Sequence, residues 1–240
     1  KDILTTHAVY WPTMLLSAGI PLPKTIFAHG WWLSGSSKMS KSIGNVVNPL
    51  DLIEQYGVDP VRFYLMREMV LGQDANFTMD SFVKRYNSDL ANDFGNLLNR
   101  ITTLLNKNFE GIIPEEGERT SDEESIIGSV EALVNNMDIK IKEMKINESI
   151  EEIMQFVRSI NKYMEHQKPW VLVKEDKNNA ARVLYTAGES IRIAAVLLSP
   201  VMPNRCADVL HVFDSGKSTK WGQLKSGSKL NDHKALFPRI

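Results

Sequence analysis

The chain has 240 residues, 43% of them hydrophobic, a formal net charge of −1 and one cysteine, Cys206. That apolar fraction can bury the core of one large or two small domains, and the near-zero charge excludes a polybasic protein that binds polyanions indiscriminately. A lone cysteine excludes an internal disulfide framework and a four-cysteine zinc site, and points to a reducing, cytoplasmic setting.

No apolar run reaches the roughly 18–20 residues of a membrane span, and the opening KDILTTHAVYWP carries no signal-peptide pattern. With Lys1 where an initiator Met would stand, that opening reads as the middle of a longer protein. HAVYWPTMLLSA (7–18) is predicted to be a buried helix, ended by the GIPLP turn. TIFAHGWWL (25–33), β-branched and aromatic, is predicted to be a strand that runs into the loop GSSKMSKSIGN (35–45). NPLDLIEQYG (48–57) has the marks of a helix: Asn48 as N-cap, Pro49 in the first helical position and Gly57 as the stop. DPVRFYLMREMV (59–70) repeats them, with Asp59 as cap and Pro60 behind it.

From Asp80 onward the period is helical. Residues 81–111 read as one long helix with Gly111 past its end and Pro114 beyond. A second is predicted over 121–144, with Ser121 and Glu124 at capping-box spacing. A third covers 147–167, opened by Asn147 with acidic residues in its first turns. Two more are expected over 177–198 and 201–213, and the polar segments 112–121 and 214–234 read as loops. Long helices with short connections predict a mainly α chain built as an antiparallel bundle.

The loop at 35–45 places Lys38 and Lys41 on the most flexible backbone nearby. Glycine and serine let backbone amides approach an anion, and lysine is a compact charge on a flexible stem. Two lysines three apart can grip one polyphosphate from two sides, in a loop free to close on its substrate. A solvated surface loop also fits KxxK alone; the string KMSKS narrows the reading.

KMSKS, followed by IGNVVNP and GVDPVRFYL, resembles the signature loop of class I aminoacyl-tRNA synthetases, and most closely that of the methionyl-tRNA synthetases. KDILTTHAVYWP resembles that family's methionine-pocket segment, FAHGWWL the strand before the signature loop, NSDLANDFGNLLNR its anticodon-reading helix, KPWVLVK its tryptophan corner and LFPRI the end of its helical domain. Leucyl, valyl, isoleucyl and cysteinyl enzymes share the loop and would not be expected to share the rest. The class's second signature, a HIGH-type motif, is not in the sequence: the histidines fall in THAV, AHGW, EHQK, LHVF and DHKA. Nor are the first strands of the nucleotide-binding domain, the insertion domain or a zinc knuckle. The resemblance therefore implies the C-terminal half of the core: a Rossmann-like catalytic remnant over 1–33, the KMSKS and stem-contact region over 34–78, and the anticodon-binding bundle over 79–240. Its parent would be a methionine–tRNA ligase and this piece inactive by itself.

The same resemblance implies site residues. Ile3, His7 and Trp11 lie on one helical face and would line the methionine side chain, whose thioether suits aromatic contact; by spacing alone they also fit a core stripe with a hydrogen-bonded histidine. Lys41 carries the catalytic weight on the departing pyrophosphate, with Lys38, Ser40 and Ser42 positioning ATP and Met39 anchoring the loop. Gly44 and Asn45 fit a turn. Asp59, Arg62 and Tyr64 read as a structural hinge, with Arg62 paired to a carboxylate. Asn92, Asn96 and Arg100, spanning about 12 Å of one helix face, would read the first anticodon base, with Pro169 and Trp170 as the stacking corner; a solvated face fits the spacing alone. Leu90, Phe94, Leu97, Leu98, Ile101 and Leu105 form its buried side. ATP, methionine and tRNA(Met) are the implied partners, with Mg2+ accompanying ATP, no metal ligand nameable and no membrane. A non-catalytic tRNA-binding module and a helical protein-interaction module are the alternatives.

Overall fold

The computed structural model describes every residue except Lys1, Ser36, Lys41 and Ile43. The predicted first helix is present as a π-helix, Thr6–Tyr10, that runs into α1 (Trp11–Ser17). It is not buried: Ile3, Val9, Tyr10, Met14 and Leu16 are all exposed. An apolar face is buried only where another layer lies against it, and no other described helix or strand packs closely on this one.

The predicted strand at 25–33 contracts to β1 (Trp32–Ser34). A β-branched run supplies propensity, but a ladder needs a second backbone. β1 finds two, both missed in the sequence: β2 (Ser37–Lys38), antiparallel, and β3 (Ala75–Phe77), parallel, with Trp32 opposite Ala75. The entry to β1 lies so close to the 73–74 backbone that a Cβ on Gly30 would stand 1.9 Å from the Gln73 carbonyl oxygen. Residue 30 must therefore lack a side chain. The Trp31 amide donates to Asp74 Oδ1 at 2.8 Å and completes the approach.

α2 (Pro49–Tyr56) is capped as predicted, Asn48 Oδ1 accepting from the Leu50 amide at 3.1 Å. α3 (Val58–Glu68) is not capped by Asp59. Gly57, at φ 86°, is its N-cap, so Asp59 and Pro60 fall inside the first turn. The buried Asp59 carboxylate instead accepts from the Arg205 amide at 2.6 Å and Asn204 Nδ2 at 3.1 Å, at the start of α10 (Pro203–Val212). Arg62 does not meet a carboxylate either. It donates to the Val201 and Pro200 carbonyls, at 2.9 and 2.8 Å, just past α9 (Lys177–Leu198). Helix ends leave unpaired amides and carbonyls, and α3 satisfies both sides of the α9–α10 corner.

The long helix predicted over 81–111 is continuous but changes type. α4 (Met79–Arg85) leads into a π-helix, Tyr86–Gly95, and then α5 (Asn96–Asn108). Leu90, Phe94, Leu97, Leu98, Ile101 and Leu105 are buried, as the sequence predicts. α6 (Ser121–Lys142) has its capping box one residue early, on Thr120 and Glu123. α7 (Ile146–Gln167) starts after Lys145, and Asn147 caps nothing. α8 (Pro169–Glu175), missed in the sequence, opens directly on Pro169 after Lys168 turns the chain at φ 50°.

α6 and α7 run antiparallel. Tyr163 near the end of α7 donates to Glu123 at the start of α6, and Lys140 at the other end of α6 lies 3.4 and 3.3 Å from Glu148 and Glu152. α9 is the central helix, in contact with α5, α6, α7, α8 and α10, and it is buried throughout 183–195. Two of those residues are charged. Arg192 pairs with Glu189 at 2.7 Å and donates to the Lys220 carbonyl at 2.8 Å, while Glu189 accepts from the Gln223 and Leu224 amides at 2.9 and 3.1 Å. Breaking one side of such a pair leaves a buried charge at a cost of about 3–5 kcal/mol, so this pair ties the irregular tail to the bundle. The tail also buries Leu224, Leu230, Leu236 and Phe237. Among the described residues no helix is long and apolar enough to cross a membrane.

Candidate functional site

The first candidate site lies at the N-terminal helix. Ile3 and His7 border a cleft of about 190 Å³ with Ile26, Phe27 and His29. Trp11 does not line it; its ring meets His7 edge-on, with centroids 6.3 Å apart. His7 Nδ1 lies 3.1 Å from the Ile3 carbonyl oxygen. A carbonyl only accepts, so Nδ1 holds the proton of neutral His7 and Nε2 remains an acceptor. The opposite wall, Ile26 and Phe27, was missed because that stretch reads as a paired strand.

The signature loop leaves β1 and returns through β2. Lys38 is exposed, its Nζ 3.5 Å from Asp2 and 4.4 Å from the centroid of the Trp31 ring. Met39 is half-buried against the core, and the Ser40 and Ser42 hydroxyls are 2.8 Å apart. Asn45 closes the loop. Its Oδ1 accepts from the Ser40 amide at 2.8 Å and its Nδ2 donates to the Lys38 carbonyl at 3.3 Å, while Gly44, at φ 74°, donates to the Ser40 carbonyl at 3.1 Å. The catalytic lysine expected from the sequence, Lys41, lies outside the described residues. The loop presents an ammonium group and hydroxyls on a short closed turn, a suitable receptor for a phosphate chain.

The third site is on the bundle. The straight stripe expected of Asn92, Asn96 and Arg100 divides into two. Arg100 faces α8, its guanidinium carbon 5.0 Å from the centroid of the Trp170 ring and its Nη2 2.8 Å from Glu165. These three residues line an open cleft of about 420 Å³. Pro169 is buried and serves to place the half-buried Trp170. Asn92 and Asn96 face the C-terminal tail, in a separate cleft of about 260 Å³. Asn99, missed in the sequence, borders both clefts. The division falls within α5, between Asn96 and Arg100: the returning tail lies against the first and α8 against the second. Behind this face Asn161 Nδ2 donates to the Asp93 carbonyl at 2.9 Å and fastens the π-helix to α7. Burial raises the Asp93 carboxyl above its ordinary range despite Arg158 at 3.4 Å.

Comparison with known proteins gives the class first. Residues 1–102 match the family described as tRNA synthetases class I (M), and residues 113–236 match the anticodon binding domain of methionyl tRNA ligase. The chain belongs to the methionyl-tRNA synthetase family. It is 38% identical over 248 residues to the methionine–tRNA ligase of Caldanaerobacter subterraneus subsp. tengcongensis, covering all of this chain and 39% of that protein. Against the Bacillus subtilis methionine–tRNA ligase the identity is 40% over 251 residues, covering all of this chain and 38% of the relative. A solved structure of Mycobacterium tuberculosis methionyl-tRNA synthetase in complex with methionyl-adenylate superposes with a TM-score of 0.94 at 36% identity, over 99% of this chain and 48% of that one. The chain thus spans less than half the length of these relatives.

Proposed function

We propose that this chain serves methionine–tRNA ligation: methionine and ATP give methionyl-adenylate and pyrophosphate, and the methionyl group passes to the 3′ end of tRNA(Met). In this reading Lys41 and Lys38 bind the phosphate chain, and Lys41 tightens on pyrophosphate as negative charge moves onto it, which accelerates the step rather than merely improving affinity. Met39 anchors the loop, and Ser40 and Ser42 position ATP. Ile3 and His7 wall the methionine pocket, with Trp11 steadying the imidazole. Arg100 and Trp170, placed by Pro169 and flanked by Asn92 and Asn96, receive the first base of the CAU anticodon. Magnesium enters with ATP. Among the described residues no group of three His, Cys, Asp or Glu side chains could hold a metal ion, and none is assigned to it.

The observation that carries this reading is the Arg100–Trp170 cation–π pair, whose Trp170 lies in the segment that matches an anticodon-binding family. Indole and guanidinium planes are both surfaces on which unstacked bases settle. The mycobacterial relative described with methionyl-adenylate supports the chemistry assigned to the other half. Two measurements test it. The chain should bind a CAU anticodon stem-loop more tightly than one with the first base changed, and the full-length protein should catalyse methionine-dependent exchange of pyrophosphate into ATP. Base preference without exchange would mark a tRNA-binding module that lacks the chemistry; binding of neither RNA would leave a protein-interaction bundle.

A further inference from the structure

Trp31 has no role in the reading above, although it lies against the signature loop. Its backbone is fixed on both sides: the amide donates to Asp74 Oδ1 at 2.8 Å, and the carbonyl accepts from the Ala75 amide at 2.8 Å. Gly30, just before it, stands so close to the Gln73 carbonyl that the chain has no room to shift toward it. The half-buried indole is therefore a fixed wall, whereas Lys38 beside it is exposed.

Strand register brings the two together. In the β1–β2 pair Leu33 stands opposite Lys38. Opposed residues share a face, and so do residues two apart along one strand. Trp31 is thus the diagonal neighbour of Lys38, and the ammonium lies 4.4 Å from the centroid of its ring. Asp2 is the weaker partner: its carboxylate is 3.5 Å from Nζ, at the limit of a hydrogen bond, and both groups are exposed. An aromatic face attracts a cation through the ring quadrupole, not through N–H···O bonds. It confines the ammonium and leaves the N–H donors for oxygen ligands.

We infer that Trp31 is a positioning residue for methionine activation: its indole holds the Lys38 ammonium beside the KMSKS turn, so that the lysine is already in place when the phosphate chain of ATP arrives. This deepens the phosphate-binding reading of Lys38 and rests on it. A lysine stem is rich in rotamers, and one confined beforehand has less freedom to lose on binding. The hold is also easily released, because a cation–π contact at an exposed site is weak and a charged phosphate oxygen is a stronger partner. The effect therefore falls on the binding of ATP.

Pyrophosphate exchange by the full-length protein, with ATP varied at saturating methionine, tests this. Trp31→Leu keeps an apolar side chain and removes the ring. It should raise KM for ATP about two- to fivefold, the scale of one exposed cation–π contact, and change kcat less. Trp31→Phe should recover part of the loss. Lys38→Met should raise KM at least as much as Trp31→Leu. With Lys38→Met in place, Trp31→Leu should add nothing, because no cation remains for the ring to hold. If Trp31→Leu raises KM by the same factor in both backgrounds, the indole only supports the strand; the inference then fails and the Lys38 reading stands. A general loss of stability would also appear in both backgrounds and counts against the inference in the same way. If Lys38→Met leaves KM for ATP at the wild-type value, both fall.

Discussion

Arg100 on α5 and Trp170 at the start of α8 form a cation–π pair, guanidinium carbon to ring centroid 5.0 Å, although they belong to helices separated in sequence by α6 and α7. Glu165 holds the guanidinium from the side at 2.8 Å, so the pair is oriented before any ligand arrives.

Stacking predicts which substitutions matter. Trp170→Ala should cost about 1–3 kcal/mol in binding a CAU stem-loop. Arg100→Lys keeps the charge but loses the planar guanidinium, on which a base can settle. It should therefore lose first-base preference almost as fully as Arg100→Ala, while Trp170→Phe keeps part of it. Fluorescence anisotropy with matched and mismatched stem-loops reads both. Equal weakening of the two RNAs by these variants would reduce the pair to a general RNA contact.

For the signature loop, Lys41→Ala in the full-length protein should slow adenylate formation by about 10²–10³-fold, the scale of one electrostatic donor lost in the transition state. Methionine affinity should stay nearly constant, because in the proposed reading the lysine acts on pyrophosphate. Single-turnover kinetics separates the two; a parallel loss of methionine affinity would make the loop structural.

In the proposed reading Asn45 acts on the same step by holding the loop closed. Asn45→Ala removes the bonds to the Ser40 amide and the Lys38 carbonyl, worth about 1 kcal/mol each, and should slow activation by roughly that factor with little change in overall stability. Asn45→Asp keeps the acceptor for Ser40 and should recover part of the rate. Thermal melting beside single-turnover rates distinguishes loosening of the loop from unfolding.

At the α9–α10 corner, Asp59→Ala leaves the Arg205 amide and Asn204 without their buried acceptor. The expected cost is about 1–3 kcal/mol, visible as a lower urea midpoint with unchanged slope. An unchanged midpoint would show that Asp59 is not the cap of α10.

Glu123 sets an acid limit. Burial alone would raise its carboxyl, but hydrogen bonds from Thr120 and Tyr163, with the Arg182 charge behind them, outweigh burial and hold it below its ordinary 4.5. A carboxyl depressed in the folded state contributes stability that is complete above its unfolded value and lost as pH falls through its folded one. Glu123→Gln should lower Tm near neutral pH and flatten its decline below about pH 4.5. A variant with the wild-type acid profile would assign that limb to other groups.

Local physics was legible from the sequence wherever one stretch of chain decides the outcome. Asn48 and Pro49 start α2, the apolar period from Leu90 to Leu105 picks out the buried side, and KMSKS with its flanking motifs gives the family. The misreadings share one cause: each depends on a partner distant in sequence. The stretch 25–31 has strand composition but meets the 73–75 backbone only at its end, at Gly30 and Trp31, while β2 and β3, too short to show alternation, pair because β1 lies between them. Asp59 carries a cap signal, but the amide it reaches is Arg205. Arg62 finds carbonyls past α9 because packing brings that corner to it. The amide stripe looks single at i, i+4 spacing, whereas the returning tail and α8 divide it between Asn96 and Arg100 and bring in Asn99. Spacing along one chain fixes which residues can share a face; only tertiary packing decides what that face meets, because partners, burial and cleft walls are supplied by elements that no local period encodes.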